Sequence, residues 1–427
     1  MLSDDETVWY FARSIVHIMR YILVGLFAII YSSVLAQNIF NSPYSIYGLG
    51  IVHKRMSTMN RGMGGTGIAV RDEFNLNYVN PASYGSIVSP INSIYEMGFY
   101  VESNRYKTNE LTELKTNGSL SNLNYWFKLK PSWSSTVGLS PFSSVSYNIN
   151  IPRNLGGIEN VNYTYDGSGT ISQLYWGNSI DVIKNLSIGV NLSYLFGSLS
   201  KNESINALTP SGILIFENKI TANKFDIDAG IQYVINLRKR KSLVVGLVAD
   251  DGVSFNAKQK SYLVDGSSDT LNTSKATKLK YTLPASLGVG LSLQTPRSIV
   301  AGDLKFENWR EADFPEEETS FLDSWKFSAG YMYKGNPEAM GYLGSISLRT
   351  GFYLQNYYLR LKEHALPWWG MSFGLSLPVF DNRSSINLTY SFDQLGTLQD
   401  GLILQRSQKI MFDVIVRDFW GRKRRFD

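Results

Sequence analysis

From about residue 91 to residue 419, apolar and polar side chains take turns along the chain. Ile386, Leu388, Tyr390 and Phe392 fall in one phase, and Ser385, Asn387, Thr389, Ser391 and Asp393 in the other. The same alternation runs through Leu186–Phe196, Phe225–Tyr233, Ala285–Leu293 and Trp325–Tyr333. Successive side chains of an extended strand project to opposite faces, so a period of two gives each segment one apolar and one polar face. Asp226, Asp228 and Lys326 all sit in the polar phase. Turned toward lipid, such charges cost a few kcal/mol each near mid-membrane. The apolar phase is therefore assigned to lipid and the polar phase to an aqueous lumen.

The pattern predicts about fourteen strands, an even number as bacterial single-chain barrels require. Their spans are 92–105, 119–130, 134–151, 169–182, 185–200, 221–236, 241–253, 281–294, 297–308, 322–334, 343–357, 367–379, 383–396 and 406–419. The connections alternate in length. Pro131–Trp133, Ile183–Lys184, Leu237–Arg240, Thr295–Pro296, Gly335–Met340 and Phe380–Asn382 are short. Those near 106–118, 152–168, 201–220, 254–280, 309–321, 358–366 and 397–405 are long. Short periplasmic turns with longer outer loops characterise outer-membrane barrels, whereas a soluble sandwich or propeller has no reason to alternate so strictly. The expected fold is all-β: a transmembrane antiparallel barrel over 91–419 with both ends in the periplasm.

The N-terminus reads as an address. Met19 and Arg20 precede an apolar stretch, Tyr21–Tyr31, and Val34 and Ala36 occupy the −3 and −1 positions of a cut before Gln37. A basic start, an apolar core and a small-residue cleavage site make a secretory signal peptide, expected over 1–36. Asp4, Asp5 and Glu6 are foreign to such a leader, so Met19 is the expected start. At the other end, residues 420–427 with Arg422–Arg425 form a basic periplasmic tail, read as a solvated segment.

Composition narrows the chemistry. Aromatic residues make up 13% and charged residues 18% of the 427, with 26 Tyr and 36 Gly. Low charge with abundant tyrosine and glycine fits a wall with one greasy and one wet face. There is no cysteine, which removes disulfides, thiolate metal sites and thiol nucleophiles together. The only histidines are His17, His53 and His364, too few for histidine-based catalysis or a histidine metal site. The chain is therefore not expected to be an enzyme, nor to carry a metal or cofactor. The formal charge of +5 is scattered, without the basic stripe that nucleic acid needs. Glu311, Asp313, Glu316, Glu317 and Glu318 share one outer loop; they have cation-ligand chemistry, but a solvated loop accounts for them.

Residues 37–90 do not alternate. Gly62, Gly64 and Gly67 spell G-x-G-x-x-G, but no strand precedes them and no βαβ unit surrounds them, so a dinucleotide turn is rejected. Without a Lys–Ser/Thr pair the run is not a phosphate loop either. Glycines allow close backbone approach in a confined space. A barrel of this size leaves an open lumen unless filled, and this polar, glycine-rich stretch suits a plug. Asn80-Pro81 would turn the chain toward the wall.

The run Gly62, Gly64, Gly65 and Gly67, then Asp72, then Asn80, Pro81 and Ala82 shortly before the first strand, resembles the N-terminal hatch of FadL-type outer-membrane transporters of long-chain fatty acids and hydrocarbons. The expected strand number matches that superfamily, and the resemblance spans the mature chain. Type IX secretion proteins of the PorV kind share the Asn-Pro-Ala element, so the motif alone leaves both roles open. Pro141, followed by Phe142, interrupts the third strand, where a residue without an N–H marks a bulge or break. The resemblance implies a lateral exit at that strand; a rim bulge is the alternative.

The leading expectation is thus passive uptake of a hydrophobic small molecule into outer-membrane lipid, with the cell outer membrane as location. Tyr100, Trp126 and Tyr175 are candidate substrate-contacting rings, and each suits an interfacial aromatic girdle equally. Against a greasy tunnel stand Glu96, Glu102, Lys128, Asp303, Lys305, Asp413 and Arg417, all on the lumen phase. The rival is a PorV-like partner of secretion-system proteins.

Overall fold

The computed structural model describes residues 42–418, apart from 156–157, 207–212, 265–269, 274, 276, 315–319, 337–341 and 380–383. The expected leader, the basic tail, the turn at Phe380–Asn382 and Glu316–Glu318 lie outside the described residues.

Fourteen antiparallel strands close into a barrel. They are β1 (Ser93–Lys107), β2 (Thr112–Lys130), β3 (Trp133–Leu155), β4 (Ile158–Ile183), β5 (Leu186–Asn206) and β6 (Ile213–Leu237). Next come β7, in two lengths (Lys241–Asp250 and Ser254–Val264), and β8, in three (Thr270–Thr273, Thr277–Thr282 and Ser286–Gln294). The ring is completed by β9 (Ser298–Glu307), β10 (Ser324–Tyr333), β11 (Ser347–Leu361), β12 (His364–Val379), β13 (Ser384–Leu395) and β14 (Leu404–Asp418). Pairing of β14 with β1, from Leu404↔Lys107 to Asp418↔Ser93, removes the free edges. Among the described residues no helix is long and apolar enough to cross a membrane. In hydrocarbon every backbone N–H and C=O must find a partner within the protein, and a closed ladder provides one.

The alternation sorts side chains as expected. On β5, Ile188, Val190 and Leu192 face outward, while Ser187, Asn191 and Ser193 are buried inward. On β8, Leu287, Val289, Leu291 and Leu293 face outward and Ser292 inward. The same sorting turns Ser385, Asn387, Thr389 and Ser391 of β13 into the lumen.

The outer hairpins depart from expectation. The long loop placed at 106–118 shrinks to 108–111, where Thr108 N–H donates to Leu111 C=O at 2.8 Å. Those at 152–168 and 201–220 are mostly strand, reaching Leu155, Ile158, Asn206 and Ile213. The loop at 358–366 reduces to Lys362–Glu363, both with positive φ. Above the lipid both faces are wet, so alternation fades, while the ladder continues on Thr-, Asn- and Tyr-rich sequence that favours extended backbone. β11 begins later than expected because Tyr342–Ser345 forms a short helix.

The barrel interior changes character with height. Continuing the inward phase of β5 beyond Ser193, Leu195 and Leu199 pack in one apolar cluster with Tyr147, Ile171, Ile220, Phe255, Tyr281 and Leu359. Apolar side chains thus line the outer end, while the lower lumen mixes polar wall residues with two smaller apolar clusters, around Tyr78, Trp126 and Tyr175 and around Met59, Met63 and Met332.

Leu291, flanked by Val245 and Gly302, tests the outward assignment. In reversible folding into phospholipid vesicles, Leu291→Arg is expected to cost about 2–4 kcal/mol. A cost under about 1 kcal/mol would place this position away from mid-membrane lipid.

Candidate functional site

The segment before β1 threads the lumen from the outer end downward. Ser42 caps the 3-10 turn Pro43–Ile46, its side chain accepting from Tyr44 N–H. The Tyr44 hydroxyl donates to the Ile403 carbonyl, and Tyr44 and Leu49 join the outer apolar cluster. Ile51 and Val52 form a two-residue strand paired with Ser144 and Ser143 of β3. His53 N–H donates to Phe142 C=O at 2.8 Å. Its ring Nε2 lies 2.7 Å from Ser144 Oγ. Burial, assisted by the positive charges of Lys409 and Arg61, lowers the His53 pKa to about 3 and keeps the ring neutral.

Two ion pairs fasten the next stretch. Lys54 Nζ lies 2.6 Å from Glu307 of β9, and the Arg55 guanidinium pairs with Asp228 of β6 while also donating to Ser193 Oγ at 3.0 Å. Arg55 also stacks over the Tyr175 ring, 4.6 Å from its centroid. The short helix Thr58–Gly62 follows, capped by Ser57.

The glycine run meets the wall at backbone distance. Gly64 has φ of +71°, and a Cβ there would lie 2.6 Å from Phe352 O, so no other residue fits. Gly67 and Ile68 N–H donate to one oxygen of Asp303 at 2.6 and 2.9 Å. The wall reciprocates with inward glycines. A Cβ on Gly246 would come within 2.1 Å of Ile68 O, and one on Gly189 within 2.3 Å of Pro81 C. Asn80 accepts from Ala82 N–H at 3.0 Å and donates to Ile68 O at 2.7 Å, starting the 3-10 turn Pro81–Ser86. Asp72 accepts from Phe74 and Asn75 N–H, both at 2.8 Å, as a turn residue.

The wall is incomplete beside this segment. Pairing of β2 with β3 stops at Leu123↔Leu139. Above it β2 stays with β1 as far as Thr112, and β3 stays with β4 as far as Leu155. Pro141 stands two residues past the last pair, at a bulge against β4, and the Phe142 ring packs inward with Phe255 at 6.2 Å. The edge that β2 leaves on β3 is taken from inside by Ile51–Val52. A small cavity lies here, bounded by Tyr100, Asn122, Asn124, Ser140, Pro141, Tyr175 and hatch residues His53–Met56.

A larger cavity of about 350 Å3 lies between the hatch and the remaining wall. Charged side chains line it, among them Lys54, Glu307, Arg55, Asp228, Lys326 and Asp393, and the Lys409–Glu102 pair at 3.1 Å. Aromatic rings also line it: Trp309 stacks on Tyr358 with centroids 3.7 Å apart, beside Tyr357 and Trp368. The chamber is amphipathic.

Tyr100, Trp126 and Tyr175 all project inward, away from any girdle, and none lines the larger cavity. Trp126 is buried beneath the hatch and donates to Tyr84 O at 3.1 Å. Tyr175 donates to Asn124 at 2.6 Å. The chamber rings Trp309, Tyr357, Tyr358 and Trp368 escaped sequence reasoning because alternation has faded at their height. The hatch cations Lys54 and Arg55 escaped it as well, because their partners Glu307 and Asp228 are remote in sequence. His364 sits at the outer turn, 2.5 Å from Asp400.

The BamG family profile matches residues 18–427. The chain belongs to the BamG family. Solved structures of FadL-type barrels share its fold. The Pseudomonas aeruginosa FadL homologue is 11% identical, with TM-score 0.61 over 87% of this chain and 99% of that one. The Pseudomonas putida toluene transporter TodX is 18% identical, with TM-score 0.56 over 90% of this chain and 100% of that one. The Ralstonia pickettii toluene transporter TbuX is 13% identical, with TM-score 0.57 over 85% and 98%. No curated protein sequence matches significantly.

Arg55→Ala leaves Asp228 buried without its cation, which at such sites costs about 3–5 kcal/mol. The expected result is faster amide exchange across His53–Met56 with unchanged exchange in β9–β12. Unchanged exchange in the hatch would show that the pair does not hold it.

Proposed function

We propose that this BamG-family barrel passes a small hydrophobic or amphipathic compound from the cell exterior sideways into the outer membrane. The observation that carries this reading is the lapse in pairing between β2 and β3, where hatch residues Ile51–His53 take the open edge of β3. A compound entering from outside would rest in the chamber, its apolar part on Trp309 and Tyr358 and its polar end toward Lys326 or Lys409. Withdrawal of Ile51–Val52 would open the wall beside Pro141 and Phe142. Leaving water gives such a molecule about 0.8 kcal/mol per CH2, so escape into lipid is favourable and avoids the hatch packed in the lower lumen. Toluene transport by the similarly folded TodX and TbuX supports a monoaromatic hydrocarbon as substrate class. In this scheme Gly62, Gly64, Gly65 and Gly67, with Asp72, Asn80, Pro81 and Ala82, anchor the lower hatch while its outer strand moves.

One observation favours a second reading. Glu307 and Asp303 of β9 and Asp228 of β6 fix the hatch to the wall at three points. A plug so tied suits a permanently closed scaffold that acts through protein contacts, as in PorV-like assembly or secretion partners.

The chain has no cysteine, so a disulfide between Val52→Cys and Ser143→Cys, Cα partners across the hatch–β3 ladder, is free of competitors. Under the transport reading, oxidised protein in vesicles stops taking up labelled toluene or oleate, and reduction restores it. Uptake indifferent to the lock rejects the lateral route. Full complementation of a deletion strain by the locked protein selects the scaffold.

A further inference from the structure

A second lapse in the wall lies away from β2 and β3. Pairing of β6 with β7 runs from Leu237↔Lys241 to Asp228↔Asp250 and resumes only at Thr221↔Asn256. Pairing of β7 with β8 breaks at the same height, between Asp250↔Ser286 and Ser254↔Thr282, where Pro284 has no N–H to give. The chain turns sharply there, with Gly252 at φ of +77° and its N–H donating to Asp250 Oδ1 at 2.8 Å.

Three carboxylates converge on this break. Asp226, Asp250 and Asp251 each offer an oxygen, and these oxygens lie within 4.8 Å of one another. Asp226 is only 8% exposed, and its Oδ1 has no hydrogen-bond partner. The nearby Arg55 is committed to Asp228 and Ser193, and Lys54 to Glu307. Among the described residues, no Lys or Arg forms an ion pair with the three carboxylates. A buried carboxylate with an oxygen that lacks a donor, beside two further carboxylates, is an environment suited to a cation.

We propose that Asp226, Asp250 and Asp251 hold a calcium ion that ties β6 to β7 across the break. Calcium accepts irregular oxygen sets completed by backbone carbonyls and water, whereas magnesium demands near-octahedral geometry and gives up its water reluctantly. Asp251 is exposed and Asp226 faces the lumen, so the ion would sit in the thickness of the wall and close it. Asp226 and Asp250 also line the larger chamber, so the ion would sit at the chamber's wall.

Equilibrium dialysis of the purified full barrel in detergent against labelled Ca2+ tests this. One ion is expected per chain, with a dissociation constant of ~0.1–1 mM, as for extracellular modules, and weaker Mg2+ competition. Asp226→Asn and Asp251→Asn should each weaken binding roughly tenfold or more through lost ligand charge, while Glu110→Gln in the exposed β1–β2 turn leaves it unchanged. Asp251 is at the surface, so its variant remains informative if the Asp226 variant folds poorly. Absence of stoichiometric binding by the wild-type barrel, or equal affinity in all three variants, overturns the proposal.

Discussion

The structure depends on backbone hydrogen bonding where water is absent. A strand crossing hydrocarbon cannot leave a row of N–H and C=O groups open, so the wall must close on itself. Pairing of β14 with β1 achieves this around the lower circumference. One of its two exceptions defines the molecule. Above Leu123 and Leu139, β2 and β3 separate, and the edge of β3 is satisfied from inside by Ile51, Val52 and His53. The hatch is therefore filler of the lumen and, at one place, a substitute for wall.

That double role explains the distribution of glycine. The hatch passes so close to the wall that side chains are excluded on both surfaces. Gly64 accommodates Phe352 from the hatch side, and Gly189 and Gly246 accommodate Pro81 and Ile68 from the wall side. Asp303 then reads the hatch by its backbone, accepting two consecutive N–H groups. Charge pairs complete the attachment higher up, through Lys54 and Arg55. Beyond them the lumen becomes apolar, and Tyr44 and Leu49 close the outer end together with wall side chains. The result is a chamber with charged and aromatic surfaces, adjoining the stretch where the wall is weakest.

Much of the fold was legible because alternation is a direct consequence of lipid on one face and water on the other. It located the strands, their inward and outward faces and those short turns that fall among the described residues. It failed where that contrast ends. The hairpins around 108–111 and between Leu155 and Ile158 extend beyond the lipid, where nothing in the polarity separates strand from loop. The glycine run and Asn80-Pro81 announced a confined, turning segment, but their partners were invisible. Arg55 and Asp228 are far apart in sequence, and a period of two states which face a residue takes, not what stands opposite. Pro141 was legible as an interruption, because proline lacks the N–H a ladder requires. That the interruption leaves an edge for the hatch depends on register, which only the folded pairing supplies.

The most direct measurement is residue-resolved amide exchange on the barrel in nanodiscs, comparing wild type with Val52→Pro. In the wild type, His53 N–H and the β3 amides facing away from β4 above Leu139 should be protected. In the variant those amides should exchange rapidly while β5–β14 remain protected. If the same β3 amides stay protected with the hatch strand disrupted, β2 must be pairing with β3 there, and the idea that the hatch completes the wall is contradicted.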